Sequence, residues 1–291
     1  MHARSGRGAL RARLLLVGSL LAGCGGAATT PGVPGAASAA DLPGVDTSNF
    51  TPREKHEVAL YAGELPSPCA DLAVPVARCL LEKRPCQACL PAAQVIAQAV
   101  RDGLAREQVE DLYKQRFDAT TAKRIPVDGS PSRGPEAASV VLVEFADFEC
   151  PFCQKIAPQL DALWEKRKEK LRFVYKFMPL SMHPHGEQAA RAAIAAQNQG
   201  KFWEMHHQLF ANGDRLEPSD LEGYAKAIGL DLAKFRDDLQ SPATTARIAS
   251  DRKLADELGV KGTPTIYIDG RAYDSKIDLQ QWVDGEIAAS H

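Results

Sequence analysis

The chain has 291 residues, a formal net charge of −2 and a hydrophobic content of 45%. This length suits one medium-sized domain with a smaller one beside it, and the composition is ordinary for a globular protein. Because the charges nearly balance, no basic field marks a surface for nucleic acid, and a nucleic-acid-binding function is excluded.

A targeting signal is predicted at the N-terminus, residues 1–23. A basic start is followed by a short apolar core at residues 14–21, which is too short to span a bilayer as a stable helix. The segment ends in Leu-Ala-Gly before Cys24. This order resembles a bacterial lipoprotein signal, which implies cleavage before Cys24 and a lipid on its sulfur. An ordinary secretory signal is the alternative.

The lipoprotein resemblance implies a place in the cell envelope, anchored to a membrane through Cys24 and facing the periplasm. Gly25 follows the cysteine, where the usual signal for retention in the inner membrane is aspartate. We therefore expect the outer membrane rather than the inner one.

The next two segments differ in composition. Residues 24–50 are rich in small residues and proline and have few large apolar side chains, so we predict a flexible tether. Residues 51–125 show helical patterns and begin with Thr51-Pro52-Arg53-Glu54, which combines a cap, a first-turn proline and a capping-box glutamate. They are predicted to form a small all-α module whose thin core needs disulfide bonds.

The module contains Cys69, Cys79, Cys86 and Cys89, which we predict to form structural disulfides. Four cysteines allow three pairings. We favour Cys69–Cys79 with Cys86–Cys89, because Pro85 can begin a turn that closes the short C-x-x-C loop. That pairing leaves open an exchange of electrons between Cys86–Cys89 and a second cysteine pair at 150 and 153.

Residues 126–135 are rich in proline and glycine and are predicted to be a linker. The second domain is expected to cover residues 136–291. It begins with an apolar strand at 140–145 and contains a long helical stretch at about 185–258.

Cys150 and Cys153 lie at the turn between that strand and a helical pattern. A sulfur at a helix N-terminus is near the positive end of the helix dipole and near unpaired N–H groups, which favour the reactive thiolate. We predict that Cys150 is the exposed attacking thiol and that Cys153 is the resolving thiol. A structural cysteine pair, or half of a zinc site, is the alternative.

The segment Phe-Ala-Asp-Phe-Glu-Cys-Pro-Phe-Cys at 145–153 resembles the active-site segment of DsbA-like thiol–disulfide oxidoreductases. Residues 259–265, Gly-Val-Lys-Gly-Thr-Pro-Thr, resemble their cis-proline segment, and the helical stretch at 185–258 lies where that family inserts a helical domain. The resemblance covers about residues 138–291. It implies an α/β fold, a thioredoxin-like mixed sheet with an inserted helical domain, preceded here by the all-α cysteine-containing module.

The resemblance also implies roles for single residues. Glu144 lies six residues before Cys150, where this superfamily often has a buried acid whose raised pKa lets it exchange a proton with the buried thiol. Pro264 is a candidate for a cis bond that would place the Thr263 backbone beside the sulfurs, ready to pair with an extended substrate peptide. A surface glutamate and an ordinary trans turn are the alternatives.

Pro151 and Phe152, between the cysteines, are predicted to contact the substrate. Phe152 stands where strongly oxidising DsbA proteins have histidine, and Asp147 and Glu149 add negative charge nearby. Both features disfavour the thiolate form of the cysteine. The direction of the reaction, whether oxidation, reduction or isomerisation, therefore remains open.

Four histidines lie in the helical stretch or just before it. His183 and His185 are interpreted as helix-capping or surface residues, with a role in substrate binding as the alternative. His206 and His207 are interpreted as helix-packing residues.

Together these patterns predict an extracytoplasmic thiol–disulfide oxidoreductase with no metal and no organic cofactor. Its predicted partners are thiol- or disulfide-containing proteins and an unidentified membrane protein that exchanges electrons with it. Two alternatives remain open: a lipid-anchored binding module with a structural Cys150–Cys153 disulfide, and a zinc protein that uses Cys86, Cys89 and two more thiolates.

Overall fold

A computed structural model describes residues 42–290. The predicted signal, Cys24 and the first part of the predicted tether lie outside these residues. Between residues 42 and 290, no helix is both long enough and apolar enough to cross a membrane.

The first part of the described chain is helical, as predicted. Its helices are α1 (Pro52–Glu64), α2 (Val76–Leu81), α3 (Cys89–Arg101) and α4 (Arg106–Phe117). The predicted capping box at the start of α1 is confirmed, because the Thr51 N–H donates to the Glu54 carboxylate at 2.6 Å and the Glu54 N–H donates to Thr51 Oγ1 at 3.3 Å. Helix α3 forms the core of this module. Its apolar face is buried along its length, from Ala92 to Val100.

The favoured cysteine pairing is wrong. The structure joins Cys69 to Cys86 and Cys79 to Cys89. Cys79, Cys86 and Cys89 pack as one small buried cluster. One disulfide joins the loop before α3 to Cys69, and the other joins the first residue of α3 to Cys79 in α2. With all four sulfurs in these bonds, the module has no Cys86–Cys89 ring to exchange electrons and no thiolates for the zinc site considered above.

The predicted tether ends too late in the sequence. Leu42 and Phe50 are buried, and Gln94 of α3 donates to the Gly44 carbonyl oxygen at 3.2 Å. Residues 42–50 therefore pack on the helical module, although their composition predicts a flexible segment.

The remaining chain forms a five-stranded mixed sheet with helices around it. Its strands are β1 (Ser132–Arg133), β2 (Val140–Ala146), β3 (Leu171–Phe177), β4 (Thr265–Ile268) and β5 (Arg271–Ala272). The strand order is β1-β3-β2-β4-β5, with β2 parallel to β3 and antiparallel to β4. Strand β2 is nearly all buried because the sheet is covered on both faces, as its apolar sequence predicts.

Helix α5 (Pro151–Arg167) connects β2 to β3, and α11 (Leu279–Ala289) follows the sheet. Five helices lie between β3 and β4: α6 (Gly186–Gln197), α7 (Phe202–Ala211), α8 (Pro218–Ala227), α9 (Leu232–Gln240) and α10 (Pro242–Leu258). The predicted helical insertion is thus confirmed, as is the predicted fold class of a thioredoxin-like α/β domain preceded by a helical cysteine-containing module.

The predicted linker at 126–135 is also corrected. Ser132 and Arg133 form β1, which pairs antiparallel with β3, and Ser130 is buried. The Arg133 guanidinium lies 4.4 Å from the ring centroid of Trp164 and 4.2 Å from that of Trp203. These cation–π contacts fix a segment that has the composition of a loop.

The helical module is joined to the sheet domain by a buried cation. Arg116 of α4 is buried, donates to the Trp282 carbonyl oxygen at 3.3 Å and lies 5.1 Å from the Trp282 ring centroid. Burial lowers the pKa of Arg116 to about 10. The module and the sheet therefore belong to one compact unit and are not two domains joined by a flexible linker.

We predict that replacing Cys69 and Cys86 together by serine lowers the free energy of unfolding by about 3 kcal/mol, as expected for a disulfide that closes a loop of this length. The two cysteines are separated by 17 positions, so their bond restricts a sizeable part of the unfolded chain. Urea denaturation of the purified chain measures the change.

A tryptic map without reduction distinguishes this pairing from the pairing of Cys69 with Cys79 and of Cys86 with Cys89. Trypsin cuts after Arg78 and Lys83, so Cys79 leaves on its own peptide while Cys86 and Cys89 stay together on another. The pairing in the structure holds three peptides together. Release of the Cys86–Cys89 peptide by itself would contradict it.

Candidate active site

The cysteine pair lies at the N-terminus of α5. Cys150 is the N-cap residue, Pro151 is the first helical residue, and Cys153 lies in the first turn. The Gln154 N–H donates to the Cys150 carbonyl oxygen at 3.0 Å, which begins the helical hydrogen bonding. Both sulfurs are free thiols in this structure. The predicted strand–turn–helix setting of the pair is confirmed.

The predicted exposure of Cys150 is wrong. Its accessible fraction is 3%, against 0% for Cys153. The Cys150 thiol donates to the carbonyl oxygen of Thr263 at 3.3 Å, because the loop before β4 passes beside the sulfur. The Cys150 sulfur is therefore largely covered in this structure.

The loop beside Cys150 contains the predicted cis bond. The Thr263–Pro264 peptide is cis, and Thr265 begins β4 directly after it. Thr265 pairs with Phe145 near the end of β2, so the register of the sheet brings this loop to the end of β2 that leads to Cys150. Thr263 and Pro264 thus lie beside the sulfurs, where the sequence predicts them.

Glu144 is fully buried, and neither of its carboxyl oxygens has a hydrogen-bond partner among residues 42–290. Burial, together with the charge of Asp161, raises the pKa of Glu144 to about 8, against an opposing effect of Arg133. The predicted buried acid is therefore present, and at neutral pH its protonated form is in excess over a minor ionised form.

Tyr175 is the neighbour of Glu144 across the sheet. The two residues are paired in register on the parallel strands β2 and β3, so their side chains point to the same face. The Tyr175 hydroxyl is buried and also has no partner in the described part of the chain. Burial and the nearby charges of Glu144 and Cys153 raise the pKa of Tyr175 well above its ordinary value.

Cys153 shares this environment. Burial is the largest cause that raises the pKa of its thiol, and the charge of Glu144 adds to the rise. Cys153 therefore stays protonated unless a base takes its proton. The acidic group that influences it, Glu144, titrates near neutral pH and is suited to accept that proton.

Asp147 is a second buried carboxyl group and, in contrast to Glu144, it is surrounded by hydrogen-bond partners. It accepts hydrogen bonds from the N–H of Glu149 at 3.0 Å and from the N–H of Leu180 at 2.8 Å, and it contacts His183 Nδ1 at 2.6 Å. A Cβ at Gly186 would come within 2.6 Å of the Asp147 carboxylate, so only glycine fits there. Asp147 thus ties the active-site turn to the loop after β3.

The acidic and basic groups beside the turn compensate each other. Glu149 accepts a hydrogen bond from the His185 N–H at 2.6 Å and contacts His185 Nδ1 at 3.1 Å, while His185 Nε2 lies 3.1 Å from Glu217. The hydrogen bond to Glu149 raises the pKa of His185. The negative charge that the sequence places next to Cys150 is therefore paired with histidine.

Two large apolar side chains are exposed in this region. Phe152, between the cysteines, is 69% exposed, and Met182, in the loop held by Asp147, is 76% exposed. Phe152 is thus available for the substrate contact predicted for it. Pro151 is exposed as well.

Sequence reasoning missed the structural roles of Asp147 and Tyr175 and the exposed Met182. Asp147 two residues before Glu149 is a local signal for a side-chain-to-backbone turn that could have been recognised. Tyr175 was visible only as one aromatic residue in an alternating strand. Its position beside Glu144 depends on the register between β2 and β3, which the sequence does not contain.

His206 is buried among aromatic rings, as predicted for a helix-packing residue. Its ring centroid lies 4.7 Å from that of Phe210 and 5.6 Å from that of Tyr175. Burial lowers the pKa of His206 to about 3, so the ring is neutral at pH 7.

Comparison with protein families places a match to the family described as Thioredoxin on residues 127–284. Among solved structures, BdbD of Bacillus subtilis is similar, with a TM-score of 0.51, 21% identity, and coverage of 57% of this chain and 95% of that one. The thiol–disulfide exchange protein α-DsbA2 of Wolbachia pipientis has a TM-score of 0.49 and 24% identity, covering 65% of this chain and 97% of that one. The likeness to BdbD supports the fold.

Among curated proteins, an antiporter named Na(+)/H(+) antiporter NhaA 3 from Salinispora tropica is 42% identical over 159 residues, which are 54% of this chain and 24% of that protein. An antiporter named NhaA from Herminiimonas arsenicoxydans is 41% identical over 148 residues, or 51% and 24% of the two chains. This chain spans about a quarter of the length of these relatives.

We predict that Glu144 makes stability depend on pH. Because its pKa is raised from 4.5 to about 8 on folding, its contribution is fully present below pH 4.5 and is lost as the pH rises through about 8. The free energy of unfolding of the wild type should fall relative to that of Glu144→Gln over this range, by at most about 1.4 kcal/mol per pH unit.

Urea denaturation at a series of pH values measures this difference. Cys150 and Cys153 should be joined as a disulfide in both proteins, so that thiol ionisation does not contribute. Glu169→Gln, at an exposed position, is the matched control and should keep the wild-type pH profile. Parallel profiles for the wild type and Glu144→Gln would show that Glu144 does not titrate in this way.

Proposed function

The chain belongs to the thioredoxin family, and from this we propose that it is a thiol–disulfide oxidoreductase that acts on protein substrates through Cys150 and Cys153. One observation carries the proposal: two free thiols at the start of α5 lie beside the cis-proline loop, and the carboxyl of Glu144, in the strand that leads to them, is buried without a hydrogen-bond partner among residues 42–290. Ion transport is not part of the proposal, because the similarity to the antiporters covers only a quarter of their length.

In the reducing direction, the Cys150 thiolate attacks one sulfur of a substrate disulfide. A mixed disulfide forms, and the other substrate sulfur leaves as a thiolate. Cys153 then loses its proton and attacks the Cys150 sulfur, which releases the second substrate thiolate and joins Cys150 to Cys153. Two electrons pass from the pair to the substrate, and oxidation of a substrate dithiol is the reverse sequence.

Glu144 is the proposed acceptor of the Cys153 proton. The thiol is buried and its pKa is raised, so its deprotonation is the step that most needs a base. Glu144→Gln should therefore slow the release of mixed disulfides by about a hundredfold, the usual size of general base catalysis.

The direction of the reaction follows from the reduction potential of the Cys150–Cys153 pair. A value near the roughly −270 mV of thioredoxin makes the protein a reductase, and one near the roughly −120 mV of DsbA makes it an oxidase. Glu149, the acidic residue next to Cys150, is paired with His185, and a protonated His185 would offset its negative charge.

Substrate binding is proposed to use two parts of the site. The Thr263 backbone, next to Cys150, would pair with an extended peptide, as in other cases of strand addition. Phe152 and Met182 would contact apolar side chains of the peptide, because both are exposed beside the turn that holds the thiols.

We further propose an extracytoplasmic location, with a lipid on Cys24 anchoring the chain to the outer membrane and a membrane protein exchanging electrons with the pair. The order of basic, apolar and Leu-Ala-Gly-Cys segments supports the anchor. Two disulfides in the helical module support an oxidising compartment.

Turnover variants test the redox function. Cys150→Ser should abolish thiol-dependent reduction of insulin, because the remaining thiol, Cys153, is fully buried and its pKa is raised. Cys153→Ser should accumulate mixed disulfides with substrate, because no thiol resolves them. Non-reducing gels and a turbidity assay measure the two effects.

The double replacement of Cys69 and Cys86 by serine serves as the control, because it removes two sulfurs without touching the active-site turn. Its turnover should match the wild type at a temperature where it remains folded. A Cys150→Ser protein with normal turnover would instead favour the binding-module alternative, in which the pair is structural.

Membrane attachment has its own test. Cys24→Ala should be released into the soluble fraction of the cell envelope, whereas the wild type should sediment with outer membranes and incorporate a labelled fatty acid. A Cys24→Ala protein that still sediments with membranes would rule out the lipid anchor while leaving the redox proposal intact.

A further inference from the structure

Asp161, His206 and His207 come together on the two packed helices α5 and α7. One carboxylate oxygen and one ring nitrogen of each histidine all lie within 4.8 Å of one another. Asp161 is eight residues after Cys153, about 12 Å farther along α5, so the cluster is separate from the thiols.

His206 is the unusual member of this cluster. It is 1% exposed, and neither ring nitrogen has a hydrogen-bond partner among the described residues. Buried polar groups are normally paired, and a buried imidazole with no partner is an exception that requires an explanation. The rings of Phe148, Tyr175 and Phe210, which pack edge-on against it, offer at most weak contacts to their π faces.

The other two groups are already paired with each other. His207 Nε2 lies 3.3 Å from Asp161 Oδ2. Two ligands of a tetrahedral zinc ion, each about 2.1 Å from the metal, are separated by about 3.4 Å. The distance between these two atoms therefore already fits one edge of such a site.

Arg133 holds the Asp161 carboxylate by its other oxygen. Its guanidinium donates to Oδ1, which leaves Oδ2 turned toward the histidines. The guanidinium is itself fixed between the rings of Trp164 and Trp203. Ligating carboxylates are commonly oriented by a hydrogen bond of this kind from outside the coordination shell.

We propose that Asp161, His206 and His207 form a binding site for a divalent transition metal, with zinc as the ion that fits the ligand set. Two imidazoles and one carboxylate leave a fourth position, which faces solvent because His207 is half exposed. The ion supplies the missing partner of His206 and joins α5 to α7. The proposed site shares no ligand with the thiol pair, and it does not rest on the redox function proposed above.

Calorimetric titration with zinc chloride tests the site. The full chain is first treated with chelator, dialysed, and oxidised so that Cys150 and Cys153 cannot bind zinc as thiolates. One zinc per chain should bind. His207→Ala, Asp161→Asn and His206→Phe should each weaken binding at least tenfold, and phenylalanine should keep the aromatic packing around position 206.

His185→Ala is the matched control, because His185 is also a part-exposed histidine paired with carboxylates. It should bind zinc as the wild type does. Nitrogen NMR of the histidine rings adds a direct readout, since a ring nitrogen of His206 should shift when zinc is added.

Three outcomes would overturn the proposal. The first is the absence of saturable zinc binding. The second is binding that survives His206→Phe or leaves the His206 ring signals unchanged, which would reduce the site to a surface pair. The third is binding lost in His185→Ala, which would place the ion beside the active-site turn.

Discussion

The site depends on strand β2 being paired along both edges. Its parallel register with β3 sets Glu144 beside Tyr175, and its antiparallel register with β4 sets Phe145 opposite Thr265. Because Cys150 follows the end of β2 and Pro264 precedes β4, these two registers bring the attacking sulfur and the cis-proline loop together. A shift of one residue in either register would turn Glu144 to the other face of the sheet.

The two buried carboxyls near the thiols show how surroundings decide function. Asp147 receives two backbone N–H groups and a histidine, so its charge is satisfied and it holds the loop after β3 in place. The Glu144 carboxyl has no hydrogen-bond partner in the described part of the chain, so burial favours its protonated form. A buried carboxyl with hydrogen-bond donors around it can hold a loop in place. A buried carboxyl without them has a raised pKa and keeps a proton that it can exchange.

Short sequence patterns correctly predicted those features that depend on interactions between residues close together in the sequence. The capping box of α1, the strand predicted at 140–145, the turn at Cys150 and the cis bond at Pro264 all follow from short patterns in the sequence. The pairing of the cysteines and the burial of Cys150 did not, because they depend on segments distant in the sequence. Thr263, which covers Cys150, is 113 positions away from it. The supposed linker became β1 for the same reason, since its partners come from the sheet and from α5 and α7.

The corrected pairing changes what the helical module does. An electron relay required a reactive Cys86–Cys89 ring on a mobile linker, and the structure has a module fixed by buried Arg116 instead. The module lies against the edge of the sheet at β5, where Gln115 donates to the Ala272 carbonyl oxygen at 2.8 Å and the Lys123 N–H donates to that of Gly270 at 2.7 Å. A Cβ at Gly270 would come within 2.2 Å of the Lys123 carbonyl oxygen, so this contact requires glycine. Since an open edge strand invites pairing with other chains, a protein that handles extended polypeptides benefits from having this edge covered.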